Sequence, residues 1–151
     1  MKTKVIRYHD ICAGHRVVGH EGKCRHLHGH NYRVHFHCEG EKLDNVGRVI
    51  DFSVVKSRLC MWLEEQWDHK FIVWENDQLM IDMMSSASLN SDQDAKDLLD
   101  SLVWVDFNPT AENLAQYLTD VVGPAQMKGT GIVLTKVTIE ETRKCSVSHE
   151  I

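Results

Sequence analysis

The stretch from Cys24 to Tyr32 places one thiol and three imidazoles within nine residues. His28 and His30 are two positions apart, so in a strand their side chains lie on the same face, with Cα atoms about 7 Å apart. In a helix the same two side chains would diverge. Two converging imidazoles could bind one metal ion, and imidazole nitrogen suits zinc best among the common protein metals. A polar strand end that is rich in histidine is the alternative interpretation.

A catalytic zinc site has three protein ligands and keeps its fourth position open. His15 is the best candidate for the third ligand, because it ends a predicted neighbouring strand at the loop that leads to His28. His9, His20 and His26 remain alternatives. The sequence contains no Cys-x-x-Cys motif, which disfavours a closed structural site made of thiolates.

Cys24 stands between Lys23 and Arg25, and cationic neighbours or a metal favour the reactive thiolate form. Because glycine and charged residues surround it, burial is less expected for Cys24 than for the other cysteines. Inert buried thiols are expected at the remaining four positions, which are Cys12, Cys38, Cys60 and Cys145.

Two pairs of neighbouring polar residues could also contribute. Asp68 and His69 could form an acid-base pair, although adjacent side chains usually diverge and a polar surface turn explains them too. Glu140 and Glu141 fall on a predicted strand, so one of the two must point away from the other and could face a pocket. A solvated strand edge is the simpler explanation for both glutamates.

The composition is that of a globular protein, with 42% hydrophobic and 26% charged residues and a net charge of -5. Its 151 residues fit one domain that spans 1–151. The negative charge argues against a nucleic-acid surface as the main function. No apolar run is long enough to cross a membrane, and the N-terminus lacks the apolar stretch of a secretory signal. We therefore expect a cytoplasmic protein with reduced cysteines.

Hydrophobic periodicity predicts an α+β fold with helices on one face of an antiparallel sheet. The Ser/Asn/Asp-rich residues 85–94 are expected to form a mobile surface loop inside the longer segment 75–101. Thr110 is the expected N-cap of the last helix, which Gly123-Pro124 should end. The predicted strands are 3–13, 28–39, 48–51, 103–105, 131–141 and 145–148, and the predicted helices are 53–67, 79–84 and 111–122.

Several motifs then occur in one order along nearly the whole chain. They are Ala13-Gly14-His15-Arg16, Cys24-x-x-x-His28-Gly29-His30-Asn31-Tyr32, Val49-Ile50-Asp51-Phe52, Asp68-His69, Asn108-Pro109-Thr110-x-Glu112-Asn113 and Glu141-Thr142. This order resembles the 6-pyruvoyl-tetrahydropterin synthase superfamily. The three-residue gap between the cysteine and the first of the two histidines resembles its 6-carboxytetrahydropterin synthase branch, which belongs to queuosine biosynthesis.

The resemblance implies a tunnelling fold, in which each subunit supplies an antiparallel sheet with helices on its outer face. Three subunits would close a barrel, and two such rings would stack as a homo-hexamer with active sites between subunits. Segment 75–101 would be a surface insert in a single catalytic domain, since it is long compared with compact bacterial members of the family.

The resemblance also implies roles for individual residues. Zinc would be held by His15, His28 and His30. Cys24 would be the base, Asp68 and His69 a second acid-base element, and Glu141 the anchor of the pterin, in a pocket that Thr110 and Glu112 help to shape. Arg16, Lys23 and Arg25 are candidate contacts for a triphosphate.

The implied reaction is that of a zinc-dependent carbon-oxygen lyase. It would convert 7,8-dihydroneopterin triphosphate to 6-carboxytetrahydropterin, with release of triphosphate and acetaldehyde. One alternative is the 6-pyruvoyl product from the same substrate. The other is a module that binds a metal or a pterin without catalysis.

Overall fold

The computed structural model describes residues 3–151, and a six-stranded sheet forms their centre. The strands lie side by side in the order β4-β3-β1-β2-β5-β6. Their bounds are Val5–His15 for β1, His28–Glu39 for β2, Lys70–Trp74 for β3, Leu102–Val105 for β4, Val133–Glu140 for β5 and Ser146–Glu150 for β6.

Strands β1 and β2 form a long antiparallel hairpin that runs from the pair Val5 and Cys38 to the pair His15 and His28. The alternation predicted for 28–39 is confirmed, because every second side chain of β2 from Tyr32 to Cys38 is buried. We call the face that carries these side chains the inner face, and the opposite face the outer face. The ends of the hairpin therefore place the histidines of both strands side by side.

Over the hairpin, the helices pack on one face of the sheet, as the sequence predicted, and cover its inner face. Met80 and Met84 of the third helix instead pack with Val73 of β3 in a second, smaller cluster. Val34, Phe36 and Val137 of the sheet and Leu59 and Leu114 of the helices are all buried in the same core. The helices are α1 at Phe52–Val55, α2 at Met61–Gln66, α3 at Gln78–Ala87, α4 at Gln93–Asp100, α5 at Ala111–Tyr117 and α6 at Gly123–Gln126, with π-helical turns at Lys56–Cys60 and Leu118–Val122. Within residues 3–151, no helix is both long enough and apolar enough to span a membrane.

The sheet is mixed, which corrects the prediction of a purely antiparallel sheet. Strand β3 was not predicted; it pairs parallel to β1, and β4 pairs parallel to β3. Parallel strands carry no simple alternation when both faces are covered, so a short apolar run such as this one gives little periodic signal. The approach of β3 also explains Gly14, since a Cβ there would lie 2.5 Å from the Phe71 ring.

The predicted strand at 48–51 is wrong. Both edges of β2 are already occupied, one by β1 and the other by β5, so residues 48–51 cannot pair with β2. The Asp44 carboxylate instead accepts hydrogen bonds from the backbone N–H and the guanidinium of Arg48. Asp51 then caps α1 by accepting from the backbone N–H of Ser53.

The predicted mobile loop at 85–94 is also wrong, because α3 extends to Ala87 and α4 begins at Gln93. Aspartates cap both helices: Asp77 accepts from the N–H of Met80, and Asp92 accepts from the N–H of Ala95. Serine and aspartate near a helix end serve as caps as readily as they form loops, so composition alone misassigned this segment.

Three smaller predictions also need correction. Gly123-Pro124 does not end the last helix; the preceding π-turn widens the backbone, and helical structure continues to Gln126. The helix predicted at 53–67 is interrupted by the π-helical turn at Lys56–Cys60, and Phe52 at its start is exposed. Of the four cysteines expected to be buried, Cys38 and Cys60 are buried, whereas Cys12 and Cys145 are exposed.

Candidate metal centre and surrounding cleft

Three imidazoles meet at the end of the central hairpin. One nitrogen of each of His15, His28 and His30 lies within 4.8 Å of the others. The ring centroids are 4.5 Å apart for His15 and His28, 4.9 Å for His28 and His30, and 5.2 Å for His15 and His30. An ion at the centre of such a triangle could be reached by all three rings.

The register of the hairpin produces this convergence. His15 is directly opposite His28, and Ala13 is opposite His30, so the three histidines are neighbours on one face of two adjacent strands. The other candidates for a third ligand are not part of this group. The His9 ring is paired with Glu64 at 2.7 Å, and Nδ1 of His20 accepts from the backbone N–H of Gly22.

Backbone carbonyl groups hold two of the rings in one orientation. Nδ1 of His15 donates to the carbonyl oxygen of Pro109 at 2.6 Å, and Nδ1 of His28 donates to that of His26 at 2.7 Å. A proton on Nδ1 leaves the lone pair on Nε2, which is the tautomer that a metal needs. The Nε2 atoms of all three histidines are buried without a hydrogen-bond partner among the described residues.

The surroundings of His15 and His30 favour neutral rings. Burial lowers the pKa of His15, and this outweighs the opposing hydrogen bond to Pro109. Burial also lowers the pKa of His30, against the opposing charge of Glu141. Buried nitrogens with free lone pairs are costly unless a ligand uses them, so this donor set fits a divalent metal. Three imidazoles would leave one position of a tetrahedral zinc ion open.

Glu141 and Tyr32 border the three histidines. Oε1 of Glu141 lies 3.0 Å from Nε2 of His30, although the contact lacks the direction of a hydrogen bond. The Tyr32 ring packs edge-on against His15 and His30, and its hydroxyl is buried without a partner in the described chain. Burial raises the pKa of Tyr32, and the charges of Glu141 and Cys24 raise it further. Cys24 and Glu141 therefore both lie near the same tyrosine.

Cys24 is half-buried in a single 3₁₀ turn at Lys23–Arg25. The loop that carries it folds back on the end of β1, because the N–H of Val17 donates to the Cys24 carbonyl oxygen at 2.8 Å. The sequence-based expectation that this thiol is not fully buried is confirmed. The flanking Lys23 and Arg25 are exposed.

Asp68 and His69 do contact each other, although adjacent side chains usually diverge. Nδ1 of His69 lies 2.9 Å from Oδ2 of Asp68, and His69 has a left-handed backbone with φ of 60°. Residues other than glycine adopt this conformation rarely, and it is often found at functional sites. Burial raises the pKa of Asp68, but hydrogen bonds from the Cys12 backbone and from His69 outweigh it and leave the pKa low.

The dyad opens onto a cleft of about 850 Å³ that also contains His30 and Glu141. Further lining residues are Asp10, Cys12, Asn31, Arg33, Glu140 and Arg143. Cys24, His15 and His28 do not line this cleft within the described chain. The structure therefore brings the predicted residues together in two groups, and His30 and Glu141 stand where the groups meet.

Comparison with known proteins gives the family. The model of the 6-pyruvoyl tetrahydropterin synthase family matches residues 4–151. The chain belongs to this family. The resemblance predicted from the motifs is thus confirmed, over almost the whole length of the sequence.

Relatives within this family carry the name of one branch. A protein of Rickettsia felis named 6-carboxy-5,6,7,8-tetrahydropterin synthase is 31% identical over 144 residues, which cover 95% of this chain and 97% of that protein. A relative of the same name from Rickettsia conorii is 30% identical over the same share of each chain. The prediction of a lyase similar to 6-carboxytetrahydropterin synthase agrees with these names.

Solved structures show the same fold. An uncharacterized protein of Wolinella succinogenes superposes with a TM-score of 0.86 at 26% identity, covering 98% of this chain and 97% of that one. The 6-pyruvoyl tetrahydropterin synthase of Caenorhabditis elegans superposes with a TM-score of 0.66 at 25% identity, covering 99% and 95%. The predicted tunnelling-fold class is therefore confirmed for the subunit.

The structure also gives the surroundings of three further residues of the family pattern. The Thr110 hydroxyl accepts from the N–H of Asn113 and so serves as the helix cap, while Glu112 is exposed in the first turn of α5. Arg16, a candidate triphosphate contact, is instead bound to Asp77.

Sequence analysis missed the supporting groups of the metal centre. The Pro109 carbonyl holds His15 from 94 residues away. Asn108 exchanges two hydrogen bonds with the backbone of Val18, and the side chain of Asn113 donates to the carbonyl oxygen of Asn108, so this turn is fixed against the loop. The family motif Asn108-Pro109-Thr110 was the available signal, but only the fold shows that its backbone, rather than its side chains, contacts the site.

Proposed function

We propose that this chain is a zinc-dependent lyase that converts 7,8-dihydroneopterin triphosphate to 6-carboxytetrahydropterin, as a step of queuosine biosynthesis. Triphosphate leaves, and water then releases two carbons of the side chain as acetaldehyde. The observation that carries the proposal is the group of three buried Nε2 atoms on His15, His28 and His30. Relatives named for this activity support the same assignment.

Zinc is the metal we propose for the three imidazoles. Neutral imidazoles are typical zinc ligands, and the carbonyl groups of Pro109 and His26 already fix two of them in the required tautomer. When bound, zinc supplies a Lewis acid that makes a proton next to the substrate's side-chain hydroxyls easier to remove.

Cys24 is the base in this proposal. The turn that carries it lies in the loop between His15, at the end of β1, and His28, at the start of β2. The chain therefore connects the thiol to a candidate ligand on either side. The charges of Cys24 and Glu141 both act on Tyr32, which supports a common location for the base and the substrate anchor. A thiolate there would take the proton from the substrate carbon.

The Asp68–His69 dyad is the second acid-base element. The carboxylate contacts Nδ1 of His69, and the His69 side chain is largely exposed, at 79% of its surface. Because Cys24 does not line the same cleft, we propose that sites are completed between neighbouring subunits of the barrel. In that arrangement, His69 of one subunit would serve the Cys24 site of another.

Glu141 is the proposed anchor of the pterin. Its carboxylate can accept two parallel N–H bonds from the guanidine-like edge of the ring, which fixes the orientation of the substrate. Oε1 already lies 3.0 Å from a metal ligand, so the anchored ring would sit beside the metal centre. Thr110 and Glu112 would contribute by placing the start of α5, not by direct contact.

A product analysis tests the reaction. The purified protein, loaded with zinc, is incubated with 7,8-dihydroneopterin triphosphate, and the products are identified by mass. We expect 6-carboxytetrahydropterin and acetaldehyde in equal amounts. A 6-pyruvoyl product without acetaldehyde would instead establish the alternative reaction of the family.

A Cys24→Ala variant separates an enzyme from a metal-binding or pterin-binding module. We expect it to retain its zinc and lose most turnover, while a module would keep its binding unchanged. Cys145→Ala is the matched control, because it removes an exposed thiol and keeps the backbone carbonyl that accepts from the N–H of Glu141. A Cys24→Ala variant with the rate of the wild type would refute the role of this thiol.

The assembly and location are also part of the proposal. We propose a single catalytic domain over 1–151 that assembles as a cytoplasmic homo-hexamer of two stacked trimers, with 75–101 as a surface insert. Light scattering of the zinc-loaded protein measures the mass in solution. A monomer with full activity would contradict active sites shared between subunits.

A further inference from the structure

A partly buried ion pair joins the residue after His15 to segment 75–101. Nε of Arg16 donates to Oδ2 of Asp77 at 2.6 Å, and Nη2 donates to Oδ1 at 2.7 Å. The Asp77 side chain is 2% exposed and that of Arg16 is 19% exposed, so this two-bond fork is largely shielded from solvent. The hydrogen bond to Arg16 lowers the pKa of Asp77 and outweighs the opposing effect of burial. Such forks fix geometry more strictly than exposed ion pairs do.

The same two side chains touch three parts of the chain. Arg16 directly follows His15 on the exit from β1. Its Nη1 atom also points to the carbonyl oxygen of Arg25, at 3.4 Å, in the turn that carries Cys24. Asp77 is the N-cap of α3. The pair therefore links the end of the ligand strand, the Cys24 turn and the first helix of the insert.

This arrangement leaves little freedom for Arg16 to bind a triphosphate. Two of the three guanidinium nitrogens are engaged by the Asp77 carboxylate, and the third faces the Arg25 carbonyl. An incoming phosphate would have to displace a buried carboxylate, which would then lose its partner. The contacts fit a permanent internal link better than a substrate contact.

We infer that Arg16 and Asp77 are positioning residues that hold the Cys24 turn against the three imidazoles. The turn has few other attachments in the described chain: Val17 donates to the Cys24 carbonyl, and Arg25 donates to its own loop at Gly22. Segment 75–101 then has a specific use, because its helix supplies the carboxylate that fixes the base. The consequence for turnover rests on the proposed function, whereas the consequence for the turn does not.

The principal variant is Asp77→Asn. Asparagine caps a helix as well as aspartate does and has nearly the same shape, so α3 should remain folded while the charged fork is lost. Arg16→Lys is the second variant, because lysine keeps the charge but cannot form two parallel bonds. Arg48→Lys is the control: Arg48 forms exposed pairs with Asp44 and Asp51, on a turn away from the site.

Two measurements on the zinc-loaded protein follow the turn itself. Hydrogen exchange reports on the Val17 amide, which bonds to the Cys24 carbonyl. The alkylation rate of Cys24 by iodoacetamide, read from its tryptic peptide by mass spectrometry, reports on thiol access. In both positioning variants we expect faster exchange at residues 17–25 and a changed Cys24 rate, with zinc content equal to the wild type. The control should match the wild type in both.

Steady-state kinetics provide the third measurement. A base displaced by about 1 Å can slow turnover by about 100-fold, so we expect kcat to fall by about 10- to 100-fold with little change in KM. A raised KM with unchanged kcat would overturn the inference and make Arg16 a substrate contact. Unchanged exchange and alkylation would overturn it as well. If the wild type itself shows no turnover, the proposed function fails, while exchange and alkylation still decide whether the pair holds the turn.

Discussion

The two faces of the β1–β2 hairpin use the same kinds of residue in opposite ways. On the outer face, polar side chains pair with one another: Arg33 binds Asp10 at 2.8 and 3.0 Å, and His35 binds Glu140 at 2.5 Å. On the inner face, at the end of the hairpin, three imidazoles meet with buried Nε2 atoms that make no hydrogen bond, although Glu141 lies 3.0 Å from that of His30. A paired histidine needs no ligand, but a buried unpaired group of three does.

His9 shows that the inner face alone does not make a ligand. It lies on that face of β1, yet its ring is paired with Glu64 of α2. The candidate ligands differ because the Nδ1 atoms of His15 and His28 bind backbone carbonyl groups, and the Nε2 atoms of all three rings make no hydrogen bond. The candidate ligands therefore differ from the other histidines of the hairpin in what their ring nitrogens bind, and not in the strand on which they lie.

The largest expected effect separates the two faces by metal content. His28→Ala should reduce bound zinc from one equivalent per chain to almost none, measured by elemental analysis after dialysis. Loss of a group that hydrogen-bonds to a metal ligand already costs about 10- to 100-fold in metal affinity, and loss of the ligand itself should cost more. His35→Ala on the outer face is the control and should keep one equivalent. Full zinc content in His28→Ala would refute the site.

Parts of this molecule were predictable because the signal is local. Both ends of β2 were predicted correctly, because a strand with one covered face alternates between apolar and polar residues. The Thr110 cap was predictable too, because a threonine directly before a helix binds an N–H of that helix's first turn. Strand β3 was not predictable, because a parallel strand that is covered on both faces has no alternation. The conformation of 48–51 was not predictable either, because it depends on β5 rather than 48–51 pairing with the second edge of β2.

The site divides in the same way. The spacing of His28 and His30 predicts their common face, but the choice of His15 over His9 depends on the hairpin register, which is a long-range property. The Pro109 carbonyl and the bond between Arg16 and Asp77 connect residues far apart in sequence. Hydrophobic periodicity reports only on local structure, so such long-range contacts can be found only from the structure or from the motifs of the family.

The second effect concerns the core beneath the inner face. Phe36 is 1% exposed, and Phe36→Ala should reduce the free energy of unfolding by about 3 to 5 kcal/mol, measured by urea denaturation. Tyr8→Ala on the outer face, where the ring is 51% exposed, should cost much less. Equal losses at the two positions would mean that the outer face is also covered, as it would be if it lined the interior of an assembled barrel.

The third effect is a pH dependence of the metal-free protein. Burial lowers the pKa of His15 and of His30 in the folded chain, while the unfolded chain takes up these protons near pH 6.5. The unfolded state therefore binds more protons below about pH 6.5, and stability should fall as the pH drops, by up to about 1.4 kcal/mol per pH unit for each ring.

Urea denaturation in the presence of a chelator measures this slope between pH 8 and pH 5. Because burial also lowers the pKa of His37 on the outer face, the wild type alone does not assign the effect. The slope should become shallower in His15→Asn and, independently, in His37→Asn, so the two variants divide the effect between the two faces. A slope that is equal in the wild type and in His15→Asn would contradict the inner-face assignment.

The smallest effect tests the outer face. The hydrogen bond from Arg33 is the main cause of the low pKa of Asp10, against the opposing effect of burial. In Arg33→Gln the pKa of Asp10 should rise toward its usual value, as measured by NMR titration of the carboxyl carbon. Stability near neutral pH should change little, because both side chains are about half exposed and water screens the pair. A large loss of stability would show that this pair is covered in the assembled protein, and the two faces of the hairpin would then differ in their ligands but not in their burial.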